Sequence, residues 1–112
     1  ALVQKAQSRM PAVKFTIEDR LIFEPTRAPE DAPLIGALTS AIEQVTGRKA
    51  SLVASPGTYD QKHVARIAGV PHCVAYGPGE LAMAHQPDEY CSVDDIISCT
   101  KVLALAVMKL SC

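Results

Sequence analysis

Hydrophobic residues follow a period of two in some segments of this chain and a helical period in others. Apolar side chains at alternate positions from Val13 onward predict a half-buried strand that runs to about Phe23. Two short apolar runs, residues 51–55 and 72–76, are bounded by turn-forming residues and predict buried strands. With a helix between them, these two strands would form a βαβ unit.

Helical spacing of apolar residues predicts four helices, over residues 1–10, 34–45, 58–68 and 93–110. The second has a proline in its first turn and Gly47 at the position of a C-terminal cap. No capping residue precedes the first, so we expect it to be the end of a longer helix in a cut chain.

Prolines separate the first predicted strand from the second predicted helix. Pro25, Pro29 and Pro33 recur at every fourth residue and prevent regular structure there. We interpret this stretch as an interdomain linker. The predicted division of the chain is therefore 1–24, a linker at 25–33, and 34–112.

Composition narrows the class of protein. Of the 112 residues, 48% are hydrophobic, which is ample for the core of a globular domain. The 11 basic and 12 acidic residues are dispersed and give a net charge of -1, without the basic stripe or cluster that nucleic acid or membrane binding needs. The longest apolar stretch is far shorter than the roughly 20 residues of a membrane span, and no signal segment opens the chain. We therefore expect a cytoplasmic protein.

The four cysteines form no Cys-x-x-Cys pair, so neither a zinc ribbon nor a dithiol redox motif is predicted. Cysteine is among the most buried residue types. We expect buried free thiols at Cys73, Cys91, Cys99 and Cys112.

His85 is the strongest candidate for chemistry, because it lies in a loop of glycines, prolines and carboxylates after the last predicted strand. Such loops open at the ligand-binding edge of an α/β sheet, and imidazole is a common metal ligand. His85 is therefore a candidate metal ligand, with a solvated loop histidine as the alternative. Asp88 and Glu89 could orient its ring or hold the loop. His63 and His72 are expected to be an ordinary helix residue and an ordinary strand residue.

Four short motifs occur in a specific order: Gly57-Thr-Tyr-Asp60, Ala68-Gly-Val-Pro71, Tyr76-Gly-Pro-Gly79 and Ala84-His-Gln-Pro-Asp-Glu-Tyr90. With the closing helix, this order resembles the C-terminal part of the dizinc amidohydrolase and metallopeptidase family of acetylornithine deacetylase, succinyl-diaminopimelate desuccinylase and glutamate carboxypeptidase. The resemblance covers essentially the whole chain. It implies an α/β fold, the C-terminal portion of a zinc-aminopeptidase-like catalytic domain preceded by the last helix and strand of an α+β lid domain.

On that family's plan, residues 1–24 end the lid, 25–33 form the return linker and 34–112 complete the catalytic domain. The family mechanism uses two zinc ions, bridged by an aspartate and a water, to lower the pKa of that water. A glutamate takes the proton and the hydroxide attacks an amide carbonyl. By position, the resemblance implies that His85 binds one metal. The general base and the other ligands are expected upstream.

The resemblance also implies substrate contacts, which are Gly57, Thr58, Tyr59, Gly77, Pro78 and Gly79. Tyr59 replaces a smaller residue of many relatives, which leaves the substrate class open. Backbone amides at the glycines, and at a helix start where Thr58 and Gln61 have capping-box spacing, could bind an anionic group.

These features together predict a segment of a hydrolase that cleaves an N-acyl amino acid, a dipeptide or a similar small amide, with two zinc, cobalt or manganese ions. Because a zinc site needs three or four protein ligands, we expect this chain alone to be inactive. Its expected partners are the missing N-terminal part of the enzyme and a second copy that dimerises through the lid. Alternatives are a metal-free interaction or regulatory module, an inactive fragment, or a metal-dependent deaminase of the same superfamily.

Overall fold

A computed structural model describes residues 2–20, 22, 24–55, 57 and 59–111 of the chain. Regular structure within these residues is entirely helical. The elements are α1 (Leu2–Arg9), α2 (Pro33–Thr46), α3 (Gln61–Arg66), a 3-10 turn (Leu81–Met83) and α4 (Val93–Ser111).

Helix α2 begins and ends within one residue of the bounds that its sequence predicts. Pro33 occupies the first turn, where its missing N–H leaves no hydrogen bond unmade. Gly47 follows the last residue with a φ of 70°, a left-handed conformation that glycine adopts without steric cost. Its N–H donates to the carbonyl of Glu43 at 2.9 Å, which satisfies one of the carbonyls left over at the helix end. The predicted second helix and its cap are confirmed.

Helix α4 is also confirmed. The hydroxyl of Ser92 accepts a hydrogen bond from the N–H of Asp95 at 3.0 Å, as an N-terminal cap does. Asp94 and Asp95 lie in the first turn and Lys109 in the last, which is the charge order that the helix dipole favours.

The core of the described residues lies between α2 and α4. Ala41 of α2 and Val102 of α4 are fully buried, and Leu38 and Ala106 extend the contact. Two small alanines at this contact let the helix backbones approach closely. Partly buried side chains pack around this centre: Ile42, Val45, Val74, Tyr76 and Leu105.

The three predicted strands are not present in the described residues, so the α/β arrangement is not confirmed. Within residues 13–20, 51–55 and 72–76, no segment pairs with another through ladder hydrogen bonds. A strand exists only through hydrogen bonds to a neighbouring strand, and the described residues place no such neighbour beside these segments. Leu21 and Phe23, at the end of the first predicted strand, lie outside the described residues.

The remaining helices are shorter than their sequence patterns predict. Helix α1 is confirmed, and α3 occupies only the middle of its predicted range. Asp60 precedes α3 without a side-chain cap hydrogen bond, and Thr58 lies outside the described residues. The described residues of the proline-rich linker contain no helix or strand before Pro33, although the division into domains stays a prediction.

The chain is extended rather than compact. Its radius of gyration is 20.1 Å, whereas a compact domain of this length has about 13 Å. Its accessible surface is 9213 Å², against about 6,000 Å² for a folded monomer of this mass. The composition is ample for a globular core, but in the described residues one helix pair buries only a small part of the apolar surface. Within the described part of the chain, none of the helices has both the length and the apolar content that a membrane crossing requires.

Candidate functional site

A cleft of about 1310 Å³ lies beside the helix pair and brings several of the predicted substrate contacts together. Its walls come from α2, from residues 50–55 and from residues 73–81. Tyr59 and the Gly77–Gly79 turn line it, and Glu89 does so from the loop that follows. This space exceeds the roughly 300–1,000 Å³ of an ordinary ligand pocket.

The Gly-Pro-Gly turn at residues 77–79 depends on its second glycine. Gly79 has a φ of 81°, in the region where a side chain would crowd its own backbone. A Cβ at this position would also lie 3.3 Å from the Sγ atom of Cys91. The amides of Gly77 and Gly79 donate to no group within the described residues, so this turn presents two N–H groups that an anion could accept.

The segment around Gly57 is held differently. The N–H of Gly57 donates to the hydroxyl of Ser55 at 3.1 Å, so this amide is engaged within the chain. The half-buried Tyr59 lies close to Gly57, with its ring 3.7 Å from the position of a Cβ there. In the first turn of α3, the N–H of His63 donates to the carbonyl of Asp60 at 2.8 Å. Anion binding therefore finds less support here than at the Gly77–Gly79 turn.

His85 is exposed and lies on a tight turn after the 3-10 segment. Its φ is 63°, and no other non-glycine residue in the described part of the chain has a positive φ. Its N–H donates to Oε2 of Glu89 at 2.9 Å. The carboxylate thus contacts the backbone of the loop, while Asp88 makes no hydrogen bond within the described residues.

The structure does not bring all the predicted site residues to one place. His85 and Gly57 are not among the described residues that line the cleft, and Thr58 is outside the described range. No group of three or more His, Cys, Asp or Glu side chains that could hold a metal ion occurs among the described residues. The donor set of the described residues therefore does not fit a catalytic metal by itself, because His85 is a single candidate ligand.

Burial changes the pKa of two ionisable groups, Tyr76 in the wall of the cleft and its neighbour Cys99. Burial raises the pKa of the Tyr76 hydroxyl, and the neighbouring Cys99 raises it further. Burial also raises the pKa of the Cys99 thiol, with a smaller effect from Cys91. Arg27, which also lines the cleft, pairs with Glu30. The neutral forms of Tyr76 and Cys99 are the stable ones near neutral pH.

Many residues that line the cleft were not among the predicted site residues, and Glu80 and Cys91 are two of them. Glu80 directly follows the Gly-Pro-Gly turn, so its place in the cleft wall could have been predicted from the sequence. Cys91 was expected to be buried, but it is exposed and rests against Gly79. The neighbouring sequence does not predict this contact, because Gly79 and Cys91 are separated by the whole intervening loop. Cys99 is buried as expected, Cys73 is partly buried, and Cys112 lies outside the described residues.

The sequence is similar to a known protein family and to several longer proteins. The family described as Peptidase family M20/M25/M40 matches residues 4–109. The Bacillus subtilis (strain 168) protein YtjP, provisionally named a dipeptidase, is 34% identical over 101 residues, which are 89% of this chain and 21% of that protein. No solved structure matches the chain significantly.

Two further relatives are named as hydrolytic enzymes. A succinyl-diaminopimelate desuccinylase of Albidiferax ferrireducens is 34% identical over 82 residues, which are 73% of this chain and 20% of that enzyme. A ureidoglycolate hydrolase of Oryza sativa subsp. japonica is 32% identical over 94 residues, 84% of this chain and 19% of the enzyme. The chain thus spans about a fifth of the length of these relatives.

Proposed function

Because the chain belongs to Peptidase family M20/M25/M40, we propose that the protein carrying it is a metal-dependent hydrolase that cleaves an amide bond. The observation that carries this proposal is the family match over residues 4–109, together with relatives named as hydrolytic enzymes. The same match supports the resemblance that the four short motifs indicated.

In this proposal the chain supplies one side of an active site. Tyr59 and the Gly77–Gly79 turn line the cleft, where the amides of Gly77 and Gly79 are oriented by a rigid turn rather than by a mobile side chain. Backbone N–H groups of this kind bind a carboxylate by charge-assisted hydrogen bonds. We assign the turn to the anionic end of a small substrate.

His85 is the residue that we assign to the metal. When bound, the two divalent metals that the family implies, for which we propose zinc, would supply an activated water and polarise the carbonyl. His85 provides one nitrogen ligand, and the remaining ligands and the general base come from outside the described residues. The 112-residue chain by itself is therefore proposed to be inactive.

The proposed substrates are an N-acyl amino acid, a dipeptide or a similar small amide. The names of the relatives include a desuccinylase and a protein provisionally assigned to the dipeptidases, which supports this class without selecting a member. A deaminase of the same superfamily would use the same metal-activated water on a different carbon.

We also propose that residues 1–24 belong to a lid domain through which two copies associate. Apolar side chains at alternate positions are exposed in this segment, with Val13 47% and Ile17 65% accessible. Gln7 already binds the backbone of this segment, since its side-chain amide donates to the carbonyl of Val13 at 2.7 Å and accepts from the N–H of Phe15 at 3.3 Å. Sedimentation of the full polypeptide over a range of concentrations tests the association.

The function is tested on the full polypeptide that carries this chain, by metal analysis and by turnover of acetyl amino acids, succinyl amino acids and dipeptides. His85→Ala is expected to lose about one metal ion per polypeptide and at least roughly a hundredfold in kcat/KM. The matched control is His72→Ala, because His72 is also exposed and does not line the cleft.

Full metal content and activity in His85→Ala would show that His85 is not a ligand. A wild-type polypeptide with no metal and no turnover would exclude the hydrolase and favour a metal-free interaction module. Turnover that releases ammonia from an aminated substrate, without amide cleavage, would identify the deaminase.

A further inference from the structure

The backbone of His85 is the most unusual feature of the loop between the 3-10 turn and α4. With a φ of 63°, the residue occupies the left-handed region, where a side chain crowds the carbonyl that follows it. Such a conformation persists only when neighbouring contacts hold it in place. The contacts around His85 therefore need to be identified.

Backbone hydrogen bonds form the outline of this turn. The N–H of Ala84 donates to the carbonyl of Leu81 at 3.1 Å, and that of Gln86 donates to Met83 at 3.3 Å. The N–H of Glu89 donates to the carbonyl of Gln86 at 3.1 Å, which returns the chain towards His85. None of these bonds engages the N–H of His85 itself.

The carboxylate of Glu89 completes the turn. Its Oε2 atom accepts the N–H of His85 at 2.9 Å, a distance typical of a charge-assisted hydrogen bond. Within the described residues, neither imidazole nitrogen of His85 has a hydrogen-bond partner, so Glu89 acts on the main chain and not on the ring. The backbone, in turn, sets the direction in which the ring leaves the loop.

We propose that Glu89 is a positioning residue, whose carboxylate holds His85 in its left-handed conformation and thereby aims the imidazole. This role rests on the proposed function only because that function makes the His85 imidazole a metal ligand. It separates Glu89 from its neighbour Asp88, which makes no hydrogen bond within the described residues. Support for the loop therefore comes from one of the two adjacent carboxylates.

The first test is hydrogen exchange at the His85 amide, followed by mass spectrometry with residue-level fragmentation, on the metal-free full polypeptide. Loss of a hydrogen bond to a charged acceptor is expected to accelerate exchange in Glu89→Ala by about tenfold or more. Glu89→Gln keeps an oxygen acceptor of the same reach and should stay within about threefold of the wild type. The matched control is Gln86→Ala, a long polar side chain of the same loop that makes no side-chain hydrogen bond within the described residues.

The second test separates positioning from substrate contact. Glu89→Ala is expected to lower kcat by roughly tenfold to a hundredfold while KM stays within about threefold, with near-complete rescue in Glu89→Gln. A carboxylate that bound substrate directly would instead raise KM in both variants, and that result would overturn the proposal. Unchanged exchange at His85 in Glu89→Ala would overturn it as well.

The two proposals fail in different ways. If the wild-type polypeptide hydrolyses no amide but Glu89→Ala still accelerates exchange at His85, the proposed function is wrong and the role of Glu89 in the loop stands. If the polypeptide is an active hydrolase and Glu89→Ala changes neither exchange nor kcat, the positioning role is wrong and the function stands.

Discussion

Gly79 and His85, which both lie between α3 and α4, have left-handed backbone conformations for different reasons. Gly79, with a φ of 81°, adopts this conformation without steric cost, and its Gly-Pro-Gly context predicts a turn. His85, with a φ of 63°, has no such freedom and depends on Glu89. The conformation of Gly79 could be inferred from its residue type. That of His85 is explained only by the hydrogen bond from its N–H to Glu89 in the structure.

Gly79→Ala is expected to destabilise the polypeptide that carries this chain by about 1–2 kcal/mol, because alanine pays the cost of a left-handed backbone. Its Cβ would also lie 3.3 Å from Sγ of Cys91. The free energy of unfolding in urea measures the loss. Gly77→Ala is the control, since nothing lies within 4 Å of a Cβ there. Adding Cys91→Ala should restore only the part due to the close contact, and complete restoration would contradict the backbone argument.

Cys99 and Tyr76 make the free energy of unfolding decrease as the pH becomes alkaline. Burial raises both pKa values in the folded chain, so the folded state retains protons that the unfolded state releases. The stabilisation is fully present below the ordinary thiol value of 9.0 and is lost as pH rises through the folded values. The free energy of unfolding in urea, measured on the polypeptide that carries this chain between about pH 7 and 10.5, should first stay constant and then decline. Cys99→Ala should reduce the slope of that decline.

At the scale of the element, helices α2 and α4 form the one substantial contact between elements in the described residues. Their boundaries follow from local chemistry, with Pro33 and Gly47 on α2 and Ser92 on α4. Their contact depends on small buried residues, notably Ala41 and Ala106, which are 0% and 4% exposed. Apolar spacing identified both helices, while the choice of facing side chains emerged only from packing.

Ala106→Leu is expected to destabilise the helix pair by about 1–3 kcal/mol, because the added carbons must fit between two packed backbones. Ala104→Leu adds the same atoms to an exposed position on the same helix and should change stability by less than about 0.5 kcal/mol. The free energy of unfolding in urea, measured on the polypeptide that carries this chain, compares the two. Equal effects from the two substitutions would contradict the packing of α2 against α4.

At the scale of the whole molecule, much apolar surface stays uncovered. Helix α4 buries Val102 against α2, yet Ile96, Leu103 and Val107 on its other side are 46%, 44% and 62% exposed. A helix that is apolar all round is characteristic of a buried position in a larger structure. The large accessible surface and the cleft beyond ordinary ligand size agree with that interpretation.

In solution, the 112-residue chain alone is expected to scatter X-rays with a radius of gyration near 20.1 Å. A compact domain of this length would give about 13 Å, and that value would contradict the extended arrangement. A dilution series serves as the control, because association through exposed apolar residues raises the apparent radius with concentration. The same preparation should show no tight zinc binding, since His85 is a single candidate ligand.

The sequence by itself determined α2 with its C-terminal cap, α4, the order of motifs and the family, because each depends on residue type at short spacing. Tertiary structure decided the absence of strands in the described residues, the contact of Cys91 with Gly79 and the hold of Glu89 on His85. A helix makes its hydrogen bonds within one segment, so its pattern is sufficient to predict it. A strand, a close contact or a strained backbone requires a second segment at a defined distance, and only the folded chain specifies that distance.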